Sequence, residues 1–158
     1  VSQRLSDIEG RRLAMISEAE GLEDAQAVFA LAEAIVRPRA EQGENSAYLR
    51  FLARVQADAA RSEHAGQEHP EMLRAQRTIA KALRDRYPDV PTSVVRTRLA
   101  LANTLAVQAV AMRQSGAFMD EMSHLSWDGF VDELVTFVAD LLTLSRLNPS
   151  GARCLTGK

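Results

Sequence analysis

Few side chains in this chain of 158 residues are of the types that carry chemistry, and their spacing decides what they can do. His64 and His69 stand five apart with Glu63 and Glu68 beside them, a set of metal-binding types. That spacing matches no common zinc pattern, and Gly66 between them marks a loop, so the set reads as solvated and no metal is expected. His124 is solitary. Cys154 has neither a second cysteine for a disulfide nor a neighbouring base to make it a nucleophile. Asp132-Glu133 reads as helix surface rather than an acid–base pair. No glycine-rich phosphate loop, Gly-x-Ser-x-Gly or His-Glu-x-x-His occurs, so neither an enzyme nor a cofactor is expected.

The polar residues that interrupt apolar stripes say more. Gln76 takes an apolar place in the run Met72, Gln76, Ile79, Leu83. Thr104 and Gln108 share one helix face, a turn apart, and Asn103 lies about 100° away by helical geometry. With the rings of Tyr48, Phe51 and Trp127, these groups have the make-up of a mostly apolar pocket with a few orienting polar groups. One reading has Phe51, Val55, Gln76, Asn103 and Gln108 binding a largely apolar small molecule. The other is a core filled by the same residues, with internal hydrogen bonds.

The elements that must position them are helices. Leu99 to Met112 contains no charge, glycine or proline, and apolar residues lie all round it, so 92–114 is expected to be a central helix covered on every side. Before it, the spacing predicts helices over 3–20, from Leu22 to a stop at Pro38, over a face of Tyr48, Phe51, Leu52, Val55 and Ala59, and from Pro70 to an end at Tyr87-Pro88. Arg11 and Arg12 read as solvated. Ser126 is placed to cap a last helix over 126–145, which is apolar on nearly every side. The result is an all-α bundle of six antiparallel helices in one domain over 1–158, with 148–158 as a flexible tail. Two nearly all-apolar helices exceed what one small bundle must cover, which predicts a homodimer. Leu105, Ala109, Met112, Phe130, Leu134, Phe137 and Leu141 are the expected interface.

Composition fits this picture. Hydrophobic residues are 46%, charged residues 25%, and net charge is −2, which gives no broad basic surface for nucleic acid. No run is long enough to span a membrane and no signal peptide opens the chain, so a cytoplasmic protein is expected.

Several local stretches resemble the C-terminal ligand-binding and dimerisation half of TetR-family transcriptional regulators. They are Ala34-Ile35-Val36-Arg37-Pro38, Tyr48-Leu49-Arg50-Phe51-Leu52-Ala53, His69-Pro70-Glu71, Tyr87-Pro88-Asp89-Val90-Pro91, Val95 to Ala102, and Phe130 to Val135. The resemblance implies a ligand among the middle helices and a four-helix dimer interface formed by the last two. It also implies an effector domain, most simply of a repressor, whose DNA-binding helix-turn-helix is missing from a sequence that opens on Val1. DNA would then be contacted only through that absent domain. The alternative is a helical dimerisation module that binds no ligand.

Overall fold

In the computed structural model, residues 2–41, 47, 50, 53–54, 72–116 and 124–144 are described. They form five helices and, among the described residues, no strand: α1 (Ser2–Glu18), α2 (Asp24–Ala40), α3 (Met72–Arg86), α4 (Thr92–Gln114) and α5 (Trp127–Leu142). The expected helix around Phe51 lies largely outside the described residues; Ala47, Arg50, Ala53 and Arg54 within it are helical. The 148–158 tail, Cys154, His64 and His69 also lie outside them.

The helix at the centre is α2 and not, as the apolar run of 92–114 suggested, α4. Helix α2 touches each of the other four. Ten of its 17 residues are buried, from Ala27 and Leu31 through Ile35 and Val36 to Ala40. Its alanines allow this, because a methyl side chain lets neighbouring backbones approach closely. Only nine of the 23 residues of α4 are buried. Its alanines made it look apolar all round, but Leu101 is 54% exposed and Met112 38%.

Pro38 does not end α2. It sits buried in the last turn, and the helix runs on to Ala40, where Glu41 donates its N–H to the Arg37 carbonyl at 2.8 Å. A proline so near the end removes one ladder bond and leaves little helix beyond it to disturb. Gly10 does not break α1, whereas Gly21 lies in the turn beyond it with φ +90°, a backbone that favours glycine. At the other end of the chain, Ser126 caps α5 as its type and place predict, its hydroxyl accepting the Gly129 N–H at 3.1 Å.

Helix α5 packs on α2 and antiparallel to α4. The direction follows from two contacts: Arg98 near the start of α4 donates to the Leu141 carbonyl at the end of α5, 3.2 Å away. Arg113 at the far end of α4 donates to the Leu125 carbonyl just before α5, at 2.9 Å. One continuous core joins all five helices. None of the described helices is long and apolar enough to cross a membrane.

Candidate functional site

Charge is concentrated inside this bundle. Glu9 and Arg12 stand three apart on α1, one turn of the same face, and both are buried. Their side chains meet at 3.1 Å. The second Glu9 oxygen accepts the Ala75 N–H at 2.7 Å, in the first turn of α3, where helix amides lack intrahelical partners and favour a carboxylate. Arg12 also donates to Asn103 Oδ1 at 3.2 Å, and buried Arg39 of α2 donates to the same oxygen at 2.9 Å. Asn103 Nδ2 donates to the Leu99 carbonyl at 2.9 Å, and Arg39 further donates to the Ile35 carbonyl. Four helices thus meet at one polar centre. Burial pulls the Arg12 guanidinium below its ordinary pKa, and the charge and hydrogen bond of Glu9 pull it back up. The centre holds neither a nucleophile nor a free base. Its chemistry is structural: it fixes the positions of α1, α2, α3 and α4.

Arg12 therefore corrects the expectation of a solvated residue. The signal was present in the sequence, since Arg12 falls between Ile8 and Ile16 on the same stripe, four residues from each. Arg39 likewise lies four after Ile35. Sequence reasoning missed Glu9, Arg12 and Arg39 because charge at such positions ordinarily means an imperfect stripe rather than a buried cation.

The members of the expected ligand-binding set that lie among the described residues make separate contacts. Asn103 is buried and bonded to the two arginines. Gln108 is half-buried and donates to the Ala53 carbonyl at 3.3 Å, tying α4 to the segment around Ala53. Gln76 is half-buried one place off the inward line of α3, which runs through Ala75, Ile79 and Leu83, each wholly buried. Phe51, Val55 and Tyr48 lie outside the described residues. Trp127 packs its ring against Phe130, with centroids 5.8 Å apart.

A cleft opens elsewhere, between α1, α2 and α3, with a volume of about 290 Å³. Its inner wall is Ile16, Ala19, Ala27, Leu31 and Ala82, where small residues at a three-helix junction leave space unfilled. Glu20, Thr78, Lys81, Asp85 and Arg86 form the rim. Three of the rim ions are already engaged. Lys81 bonds Asp85 at 2.7 Å and so holds that carboxyl below its ordinary pKa, and Arg86 donates to the Leu22 carbonyl at 3.3 Å. The volume is at the lower end for a small-molecule pocket, and the lining has the usual apolar body with polar margins.

The expected dimer residues divide into two groups. Phe130 and Leu134 point into the core, 2% and 7% exposed, and are not available to a partner. The period-3.6 pattern of α5 put them on an apolar surface without saying which part of it faces inward. Phe137 is 61% exposed, while Leu105, Ala109 and Leu141 are half-buried. On α4, Leu101, Leu105, Gln108 and Met112 follow one line at spacings of four, three and four. On α5, Phe137 and Leu141 lie four apart at the end that the antiparallel packing sets beside Leu101. Together they place large apolar side chains on the outside of the helix pair, with the exposed Glu133 and Asp140 beside Phe137.

Among the described residues, no group of three His, Cys, Asp or Glu side chains is placed to hold a metal ion, and His124 is exposed in the turn before α5. No family model, no curated protein and no solved structure matches this chain.

Proposed function

We propose that this chain is the effector-binding and dimerisation domain of a transcriptional regulator of the TetR type, most simply a repressor. Two copies associate through α4 and α5, and an apolar small molecule binds among the helices. The observation that carries this reading is the exposed apolar side chains of Leu101, Met112 and Phe137, with half-buried Leu105, on an antiparallel helix pair. Large exposed apolar side chains gathered on adjoining helices mark an interaction surface. Two such pairs make a four-helix seam, which is what the resemblance implies. The ligand is placed in the α1–α2–α3 cleft rather than around Asn103, since the latter is filled by arginine. In such a regulator another domain reads the DNA, and ligand binding shifts the population of conformations that place it.

The uncharged apolar dye Nile red tests the ligand half of the proposal. The expected result is saturable binding that Ala82→Leu abolishes by filling the cleft and Phe137→Glu leaves in place. Equal binding to the chain and to Ala82→Leu would remove the cleft from the account.

One observation favours a second reading, a dimerisation module without ligand. Asn103, expected at the ligand, is instead bonded to Arg12 and Arg39 within the Glu9–Arg12–Asn103–Arg39 centre. A dimer that shows no saturable Nile red binding would select that reading.

A further inference from the structure

Helix α3 and the start of α4 carry an arrangement that neither the cleft nor the dimer face uses. Arg77 and Arg84 on α3, seven residues and so two turns apart, line a small hollow of about 110 Å³ together with Arg96 of α4. Thr92 adds a hydroxyl, and Ala80 and Val95 form its apolar sides. All three arginines are exposed, and among the described residues no ion pair or hydrogen bond engages their guanidinium groups. The nearest acid in sequence, Asp85, is bonded to Lys81. The first turn of α4 contains no acidic residue, and Pro91 at its cap has no side chain able to accept a hydrogen bond, so the positive end of that helix adds to the field.

Among the described residues, several other arginines are matched. Arg12 meets Glu9, Arg37 meets both Glu33 and Asp132, and Arg11 meets Glu41. Three guanidiniums without an ion pair or hydrogen bond gather around one hollow in a chain of net charge −2, with Arg84 feeling only the charge of its neighbour Asp85. Like charges brought to one hollow repel unless an anion joins them. Guanidinium forks suit a tetrahedral oxyanion, which can take paired hydrogen bonds from several directions. A hydroxyl such as that of Thr92 supplies one further donor.

We infer that Arg77, Arg84, Arg96 and Thr92 form a binding site for a phosphate group, either as free phosphate or as the monoester of a small organic molecule. The site is separate from the α1–α2–α3 cleft and does not depend on what that cleft binds.

Calorimetric titration at fixed ionic strength tests the assignment, with inorganic phosphate and glycerol phosphate as probes and chloride as the reference anion. The chain should bind phosphate saturably. Arg84→Gln and Arg96→Gln should each weaken binding about tenfold, as expected for loss of a charge-assisted hydrogen bond. Arg74→Gln, an exposed change on the same helix outside the hollow, should leave it unchanged. Each substituted arginine is exposed, so the melting temperature of every variant should match that of the original and show that folding is intact. Affinity should rise from about pH 5 to about pH 7, as the second phosphate proton is lost with a pKa of about 6 and the arginines stay charged. Tighter binding of glycerol phosphate would identify an organic monoester, and equal binding free phosphate. Phosphate no better than chloride, or equal affinity in the Arg84 and Arg96 variants, would overturn the site. So would binding to a DNA duplex that phosphate and its monoester do not compete for.

Discussion

The centre of the bundle and the outer face of α4–α5 invert the usual arrangement of a small soluble domain. Inside, where apolar side chains are the rule, lie Glu9, Arg12, Arg39 and Asn103. Outside, Leu101, Met112 and Phe137 stand in solvent. The same helix contributes to both regions, with Asn103 on one side of α4 and Leu101 and Leu105 on another. The difference lies in partners. Each buried charge is tolerated because an opposite charge, an amide or a carbonyl meets it, and together these contacts lock helices that are far apart in sequence. The outer apolar groups have no such partner among the described residues, and under the proposed function a second copy supplies one. A polar group can be buried when it is satisfied, and an apolar group is left exposed when it has something to bind.

The comparison is broken most severely from the inside. Glu9→Ala leaves the Arg12 guanidinium buried without its carboxylate and takes the acceptor from the Ala75 amide. Removing one partner of a buried pair costs about 3–5 kcal/mol, and urea denaturation should show a loss of that order. A cost near that of a surface pair would mean that water reaches the centre.

The outer face should respond quite differently. Phe137→Glu changes a side chain that is 61% exposed, so the stability of the monomer should move by no more than about 0.5 kcal/mol while self-association is lost. Leu134→Glu, only three residues away, puts a carboxylate into the core and should prevent folding. Paired measurements of melting temperature and molecular mass separate the two. Similar outcomes for both would show that α5 does not divide into a core side and a partner side.

The smallest expected effect sharpens the contrast between buried and exposed charge. Arg37 bridges α2 to α5, meeting half-buried Glu33 at 2.8 Å and exposed Asp132 at 2.9 Å at the edge of the bundle. Arg37→Ala should cost less than about 1 kcal/mol, and the cost should shrink further as salt is added. A loss as large as that for Glu9→Ala would place Arg37 among the residues that hold the core together.

Helix positions were legible because periodicity and capping act locally. The bounds of α4 were readable from its charge-free run and those of α5 from Ser126 and the apolar residues that follow. What a helix faces is not local. Alanine fits a core and a surface equally, so α4 looked more enclosed than it is, and the alanines of α2 gave no sign that every other described helix packs on it. Pro38 shows the same limit: it forbids a long continuation, not two more residues. The candidate site was read least well. Asn103 was singled out as a polar group needing partners, but those partners, Arg12 and Arg39, lie 91 and 64 residues away in sequence. Arg12 could have been suspected from its place between Ile8 and Ile16; the cleft at Ala19, Ala27 and Ala82 could not, because a void made by small residues from three helices has no local pattern.

Sedimentation equilibrium on the unmodified chain tests the central claim, that the apolar outer face exists to meet a second copy. A stable interface of this kind buries roughly 2,000 Å² or more, and the account predicts a species of twice the 17.4 kDa chain mass at micromolar concentration, reduced to monomer by Phe137→Glu. A monomer for the unmodified chain at every concentration would contradict it.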